Sequence, residues 1–187
     1  MRPTSILAGL LPAGEASTEV IRTGIDALHP RGWPTQAYRA CAVRLRDGAL
    51  VVFGSDGAPS VSIGTAVAAS CAIPSWFAPV DVGGERYIDG GAHSFTNASE
   101  AASIAPDLVV ISAPMARLAG RAQLGLEVQS LRRRGIDVVT FRPSPEDERA
   151  MGLNAMDPSK RAPVVRAVRE TARRRVESLR DRLEALG

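Results

Sequence analysis

The sequence predicts an α/β domain, and three observations lead there. Residues 107–141 run strand, helix, strand, at a length that requires a parallel, right-handed crossover. Hydrophobic residues fill 45 % of the 187 positions, enough to bury a core. Aromatics supply only 4 %, with Ala, Val and Leu dominant, which favours a helix-rich α/β chain over an all-β sandwich.

The elements follow in order. Residues 1–34 read as a short apolar helix, a loop and a second helix near 18–28, which His29-Pro30, Gly32 and Pro34 end. This opening has no evident sheet partner. Residues 38–54 read as a hairpin, with strands Ala40-Cys41-Ala42-Val43 and Leu50-Val51-Val52-Phe53 around the turn Asp47-Gly48. Pro59-Ser60 precedes a helix over 61–72 rich in small residues, which permit close packing; Pro74 ends it. Val80-Asp81-Val82, Gly83-Gly84 and Arg86-Tyr87-Ile88 form a shorter hairpin, and Asp89-Gly90-Gly91 follows directly on its second strand. A polar loop leads through Asn97 to a short helix near 99–104.

Leu108-Val109-Val110-Ile111 is apolar without alternation, the pattern of a strand covered on both faces. The next helix, over about 120–134, carries Leu124, Val128 and Leu131 on one stripe, and Gly135 caps it before the strand 136–141. Ser144-Pro145-Glu146-Asp147 opens another helix, with Pro at its first position and acids in its first turn. Asp157-Pro158 starts the last one, whose stripe is Val164, Val168, Val176, Leu179, Leu183 and Leu186.

Charge is uneven. Residues 160–187 hold nine Lys/Arg against four Asp/Glu, whereas the rest holds 14 against 16. A solvated helix face explains such a segment, and peripheral contact with an anionic membrane is the functional alternative. Cys41 and Cys71 sit in apolar runs and make no disulfide framework, so a reduced, cytoplasmic setting is expected. No apolar run reaches the roughly 18 residues of a membrane span, and the apolar stretch after Arg2 is shorter than a signal core. Two histidines and two cysteines at unhelpful spacing suggest no zinc site and no other cofactor. Neither a P-loop nor a G-x-G-x-x-G follows a strand, and no nucleic-acid partner is expected.

Asp89-Gly90-Gly91 carries the chemistry. A carboxylate at a strand exit is held by the sheet, and two glycines remove the Cβ atoms that would crowd it. An ordinary Asp-Gly turn has the same three residues, so the surroundings decide. Those are Ala68-Ala69-Ser70-Cys71-Ala72-Ile73-Pro74, then Phe77-Ala78-Pro79-Val80, then Tyr87-Ile88-Asp89-Gly90-Gly91, then Ser94-Phe95-Thr96-Asn97. The combined string closely resembles the patatin-like phospholipase family, and the resemblance covers roughly residues 38–175.

The resemblance implies a three-layer α/β/α fold and a serine–aspartate dyad that splits fatty-acyl esters of phospholipids or neutral lipids. A serine within G-x-S-x-G attacks the ester, and the aspartate of D-G-G, here Asp89, acts as its acid/base partner without a histidine. Gly90, Gly91 and Asn97 would support that site; for Asn97 a helix cap is an equal alternative. The sequence departs from the family in two respects, one being that it shows no glycine-rich oxyanion loop near its start. It contains no G-x-S-x-G; Ser60-Val61-Ser62-Ile63-Gly64 comes nearest but lacks the first glycine. The expected organisation is therefore the C-terminal portion of one such domain, lacking the first strands and the nucleophile elbow. It comprises a helical lead-in over 1–37, the sheet and Asp-Gly-Gly region over 38–157, and a basic helix over 158–187. Alone, such a chain is expected to be inactive; the alternative is a non-catalytic relative that binds lipid or a partner.

Three lesser candidates remain. His93 completes no triad without a placed serine. Cys71, at an apolar helix end, reads as a buried structural thiol rather than a nucleophile. Trp76-Phe77 offers an acyl-chain contact, with plain core packing the competing reading.

Overall fold

The computed structural model describes Pro12 and residues 14–116, 118–154, 157–180 and 184; the apolar helix read at the very start lies outside them. They form two compact units, Met1–Asn97 and Ala98–Gly187. The division falls inside the stretch 38–157 read as one region. The α/β class is as the sequence predicts.

The first unit is built on a four-stranded antiparallel sheet. Its strands are β1 (Ala40–Arg44), β2 (Leu50–Phe53), β3 (Val80–Val82) and β4 (Glu85–Asp89), in the order β2-β1-β4-β3. The Asp47-Gly48 turn sets the first register, with Ala40 opposite Phe53 and Val43 opposite Leu50. Beside it, Ala42 faces Asp89 across β1 and β4. Helices α1 (Glu19–Leu28) and α2 (Ile63–Ser70) complete the unit. Phe53 and Tyr87, both fully buried, meet edge to face at 5.3 Å among Ala40, Ala42, Ala66 and Ala69.

Small residues in α2 let α1 come close: a Cβ on Gly64 would stand 2.5 Å from the Asp26 carboxyl carbon. Asp26 uses that proximity. Its Oδ1 accepts the Gly64 amide at 2.8 Å and its Oδ2 the Ser62 hydroxyl at 3.0 Å, so α1 supplies a cap for α2. The lead-in also finds a sheet-type partner that the sequence did not suggest. Ala16 makes an isolated parallel bridge to Phe77, its amide donating to the Trp76 carbonyl at 3.1 Å.

The second unit holds β5 (Leu108–Ser112) and β6 (Asp137–Phe141), paired in parallel with Leu108 opposite Asp137. The helix α3 (Leu118–Arg133) makes the crossover and buries Leu124 and Leu131. Gly135, at φ 80°, closes it, and the Ile136 amide returns to the Leu131 carbonyl at 3.2 Å. Here one expectation fails: β5 is not covered on both faces, since Val110 is 57 % exposed. Uniform apolarity fixed the strand but carried no information about how many layers pack on it. The segment Ala98–Ile104 is a 3-10 helix.

The helix α4 (Pro145–Met151) starts where its sequence announces, and its start is a capping box, Ser144 and Asp147 exchanging bonds. Asp147 is 1 % exposed and also accepts the Thr171 hydroxyl at 3.1 Å, which ties α4 to the last helix, α5 (Arg161–Glu177). The stripe predicted on α5 is only partly used: Leu179, just beyond its end, is buried, while Val168 and Val176 stay exposed. Leu183 and Leu186 lie outside the described residues. Among the described residues no helix is long and apolar enough to cross a membrane.

Candidate active site

Asp89 is the last residue of β4, and the buried Tyr87 and Ile88 before it anchor that strand. The Asp89 amide donates to the Ala72 carbonyl at 2.9 Å, tying the strand exit to the segment after α2. One 3-10 turn, Gly90–Ala92, follows, and the Asp89 Oδ1 accepts the Gly91 amide at 2.6 Å. Gly90 is needed for steric reasons, and Gly91 leaves room for the carboxylate. A Cβ on Gly90 would lie 2.8 Å from the Cys41 carbonyl carbon in β1, and one on Gly91 would lie 2.9 Å from the Asp89 Oδ1.

Asn97 fastens the loop from its far side. Its Nδ2 donates to the carbonyls of Gly90 and Ser94, each at 3.0 Å, and its Oδ1 meets His93 Nδ1 at 3.0 Å. The backbone of Asn97 sits at φ 46°, a left-handed conformation that Asn tolerates better than most residues. Of the two readings of Asn97, the loop bonds are the ones observed. The structure thus brings Asp89, Gly90, Gly91 and Asn97 together.

The carboxylate opens into a cleft of about 380 Å³ lined by Tyr38, Cys41, Ser70, Cys71, Phe95 and Thr96 as well as the Asp89 loop. Burial pushes the Asp89 carboxyl above its ordinary value, and the Gly91 N–H pulls the other way. Burial, and then the Asp89 charge, raise the Cys71 thiol. A thiol held protonated is a poor nucleophile, as expected from its sequence setting. Ser70 also faces the cleft, but it ends a helix rather than occupying a strand-to-helix elbow. Ser62, in the string nearest to a nucleophile motif, caps α2: its Oγ accepts the Thr65 amide at 3.1 Å. Among the described residues no group of three His, Cys, Asp or Glu could hold a metal ion.

Sequence reasoning missed Phe95. It is 58 % exposed, lines the cleft, and is the one aromatic in the polar loop after Asp89, which was the available signal. Trp76 and Phe77, the candidates chosen instead, stack on each other at 6.0 Å and are not among the residues lining this cleft.

Residues 11–102 match the family model described as patatin-like phospholipase. The matched segment takes in α1, all four strands of the first unit and the loop from Asp89 to Asn97. No curated protein matches the chain.

Proposed function

We propose, from the match of residues 11–102 to the model of patatin-like phospholipases, a family of lipid acyl hydrolases, that Asp89 is the acid/base member of a serine–aspartate dyad for fatty-acyl esters. The observation that carries this reading is the half-buried carboxylate at the end of β4, opening into an aromatic-edged cleft. A carboxylate of ordinary basicity is a weak base near neutral pH, and burial strengthens it.

The chemistry then follows in two halves. Asp89 takes the serine proton as the hydroxyl adds to the ester carbonyl, and returns it to the departing alcohol as the acyl–enzyme forms. Water repeats the sequence, Asp89 removing its proton and restoring it to the serine as the fatty acid leaves. Phe95 and Tyr38, both lining the cleft, supply apolar surface for the acyl chain. The serine comes from a G-x-S-x-G segment that these 187 residues do not contain.

A serine-directed fluorophosphonate probe tests the arrangement. It is applied to the 187-residue chain and to the product of a reading frame extended upstream of Met1. Labelling is expected in the extended protein alone. A labelled serine in the shorter chain would overturn the assignment of the nucleophile to a segment outside it.

The last helix favours a peripheral role on membranes as an accompaniment. Arginines 161, 166, 169, 173, 174 and 175 are all exposed on α5, against Glu170 and Glu177. Its exposed apolar side chains are valines, without Trp or Phe, so the attraction is electrostatic rather than insertive. Co-sedimentation is expected with vesicles containing phosphatidylserine but not with phosphatidylcholine alone, and to disappear at high salt. Binding that survives Arg166→Glu, Arg169→Glu and Arg173→Glu together would remove this role.

A further inference from the structure

The peptide group between Gly90 and Gly91 joins the two sides of the Asp89 loop. Its N–H donates to the Asp89 Oδ1 at 2.6 Å. Its carbonyl accepts three donors: the His93 amide at 3.0 Å, the Ser94 amide at 3.2 Å and the Asn97 Nδ2 at 3.0 Å. A trans peptide is planar, so its N–H and its carbonyl point in opposite directions. Whatever fixes the carbonyl therefore also aims the N–H at the carboxylate. Two of those donors are backbone groups of the same turn, and the third is the Asn97 side chain.

A side-chain amide can lie either way round, and its neighbours decide which. The Asn97 Nδ2 faces two carbonyls, of Gly90 and Ser94, each at 3.0 Å. Turned over, its oxygen would meet both, acceptor against acceptor. His93 Nδ1 stands 3.0 Å from the Asn97 Oδ1, so Nδ1 carries the proton and donates it. A reversed amide would set donor against donor there.

We propose that His93 is a positioning residue for Asp89. It holds Asn97 one way round, Asn97 holds the Gly90–Gly91 peptide, and that peptide holds Oδ1, which leaves Oδ2 to exchange the proton. The consequence for catalysis rests on Asp89 being the base; the chain of bonds does not. His93 thus has a task at the site without belonging to a triad.

Nuclear magnetic resonance on the 187-residue chain tests this role with His93→Phe and His93→Asn. Phenylalanine keeps a ring and loses the donor. Asparagine loses the ring and brings an N–H donor close to the place of Nδ1. Neither is charged, so the two variants differ in the donor and not in the field at Asp89. In His93→Phe the Gly91 amide should exchange with solvent about tenfold faster than in wild type, the loss of roughly one hydrogen bond. His93→Asn should restore slow exchange. The Asp89 carboxyl should titrate at higher pH in His93→Phe than in His93→Asn, because the Gly91 N–H favours its charged form. Asn97→Gly accepts the left-handed backbone at φ 46° and should speed Gly91 exchange as His93→Phe does, so the test stands if the phenylalanine variant does not fold. Gly91 exchange unchanged in His93→Phe or in Asn97→Gly would overturn the role. So would His93→Asn exchanging as fast as His93→Phe, since the packing of the ring would then be what matters. Whether Asp89 is the base is decided separately, by hydrolysis with Asp89→Asn.

Discussion

Asp89→Asn should lower ester hydrolysis by the serine-containing protein roughly 10²–10⁴-fold, the range for losing a positioned general base. The same substitution should make the 187-residue chain more stable at neutral pH. An amide oxygen still accepts the Gly91 N–H, while the charge that burial disfavours is gone. The sign follows from the direction of the shift. The folded chain holds the Asp89 proton more tightly than the unfolded chain, whose value stays near 3.8. Wild-type stability therefore falls as pH rises from there through the raised folded value, and the loss persists at neutral pH. Asn does not titrate, so the variant's advantage opens over that interval and vanishes below it. Thermal unfolding of both chains at pH 3 and pH 7 reads the difference. A wild type that gains on the variant as pH rises would mean that the fold welcomes the charge, contrary to a carboxylate tuned as a base.

Gly90→Ala is expected to cost about 3 kcal/mol or more, at the upper end for overpacking, because the added methyl meets backbone rather than a movable side chain. The strand beside it is fixed by pairing on both sides, with Cys41 opposite Val52 and Ala42 opposite Asp89, so neither partner can yield cheaply. Gly24→Ala is the control within the same unit. Its Cβ would meet nothing within 4 Å, and in a helix interior the change should add about 0.5–1 kcal/mol. Urea unfolding of the two variants against wild type gives both numbers. A loss at Gly90 no larger than the gain at Gly24 would mean that the turn can move off β1, and the carboxylate would not be held as described.

What the sequence disclosed was whatever a local signal encodes. Asp47-Gly48 marked the hairpin, Ser144 with Asp147 marked a helix start, and the spacing from Leu108 to Phe141 demanded a parallel pair; each appears where expected. Asp89 was legible because its glycines follow a strand directly. The bonds that hold its loop were not, since Asn97 reaches Gly90 only through a left-handed backbone that no neighbouring residue type dictates. Ser62 shows the limit from the other side. Its string comes nearest to a nucleophile motif without completing it, and an acid 36 residues earlier makes the hydroxyl part of a cap. The exposure of Val110 depends on which layers assemble, a property of the whole unit and not of any window of residues.

The carboxylate that α1 lends to α2 has a kinetic meaning. Asp26 reaches Gly64 across 38 residues of chain, so the opening turn of the later helix lacks one of its anchors until the earlier one has arrived. The two segments are therefore expected to open together. Solvent exchange at the Gly64 amide would then time the departure of α1, making that single proton a clock for the whole forward edge of the unit.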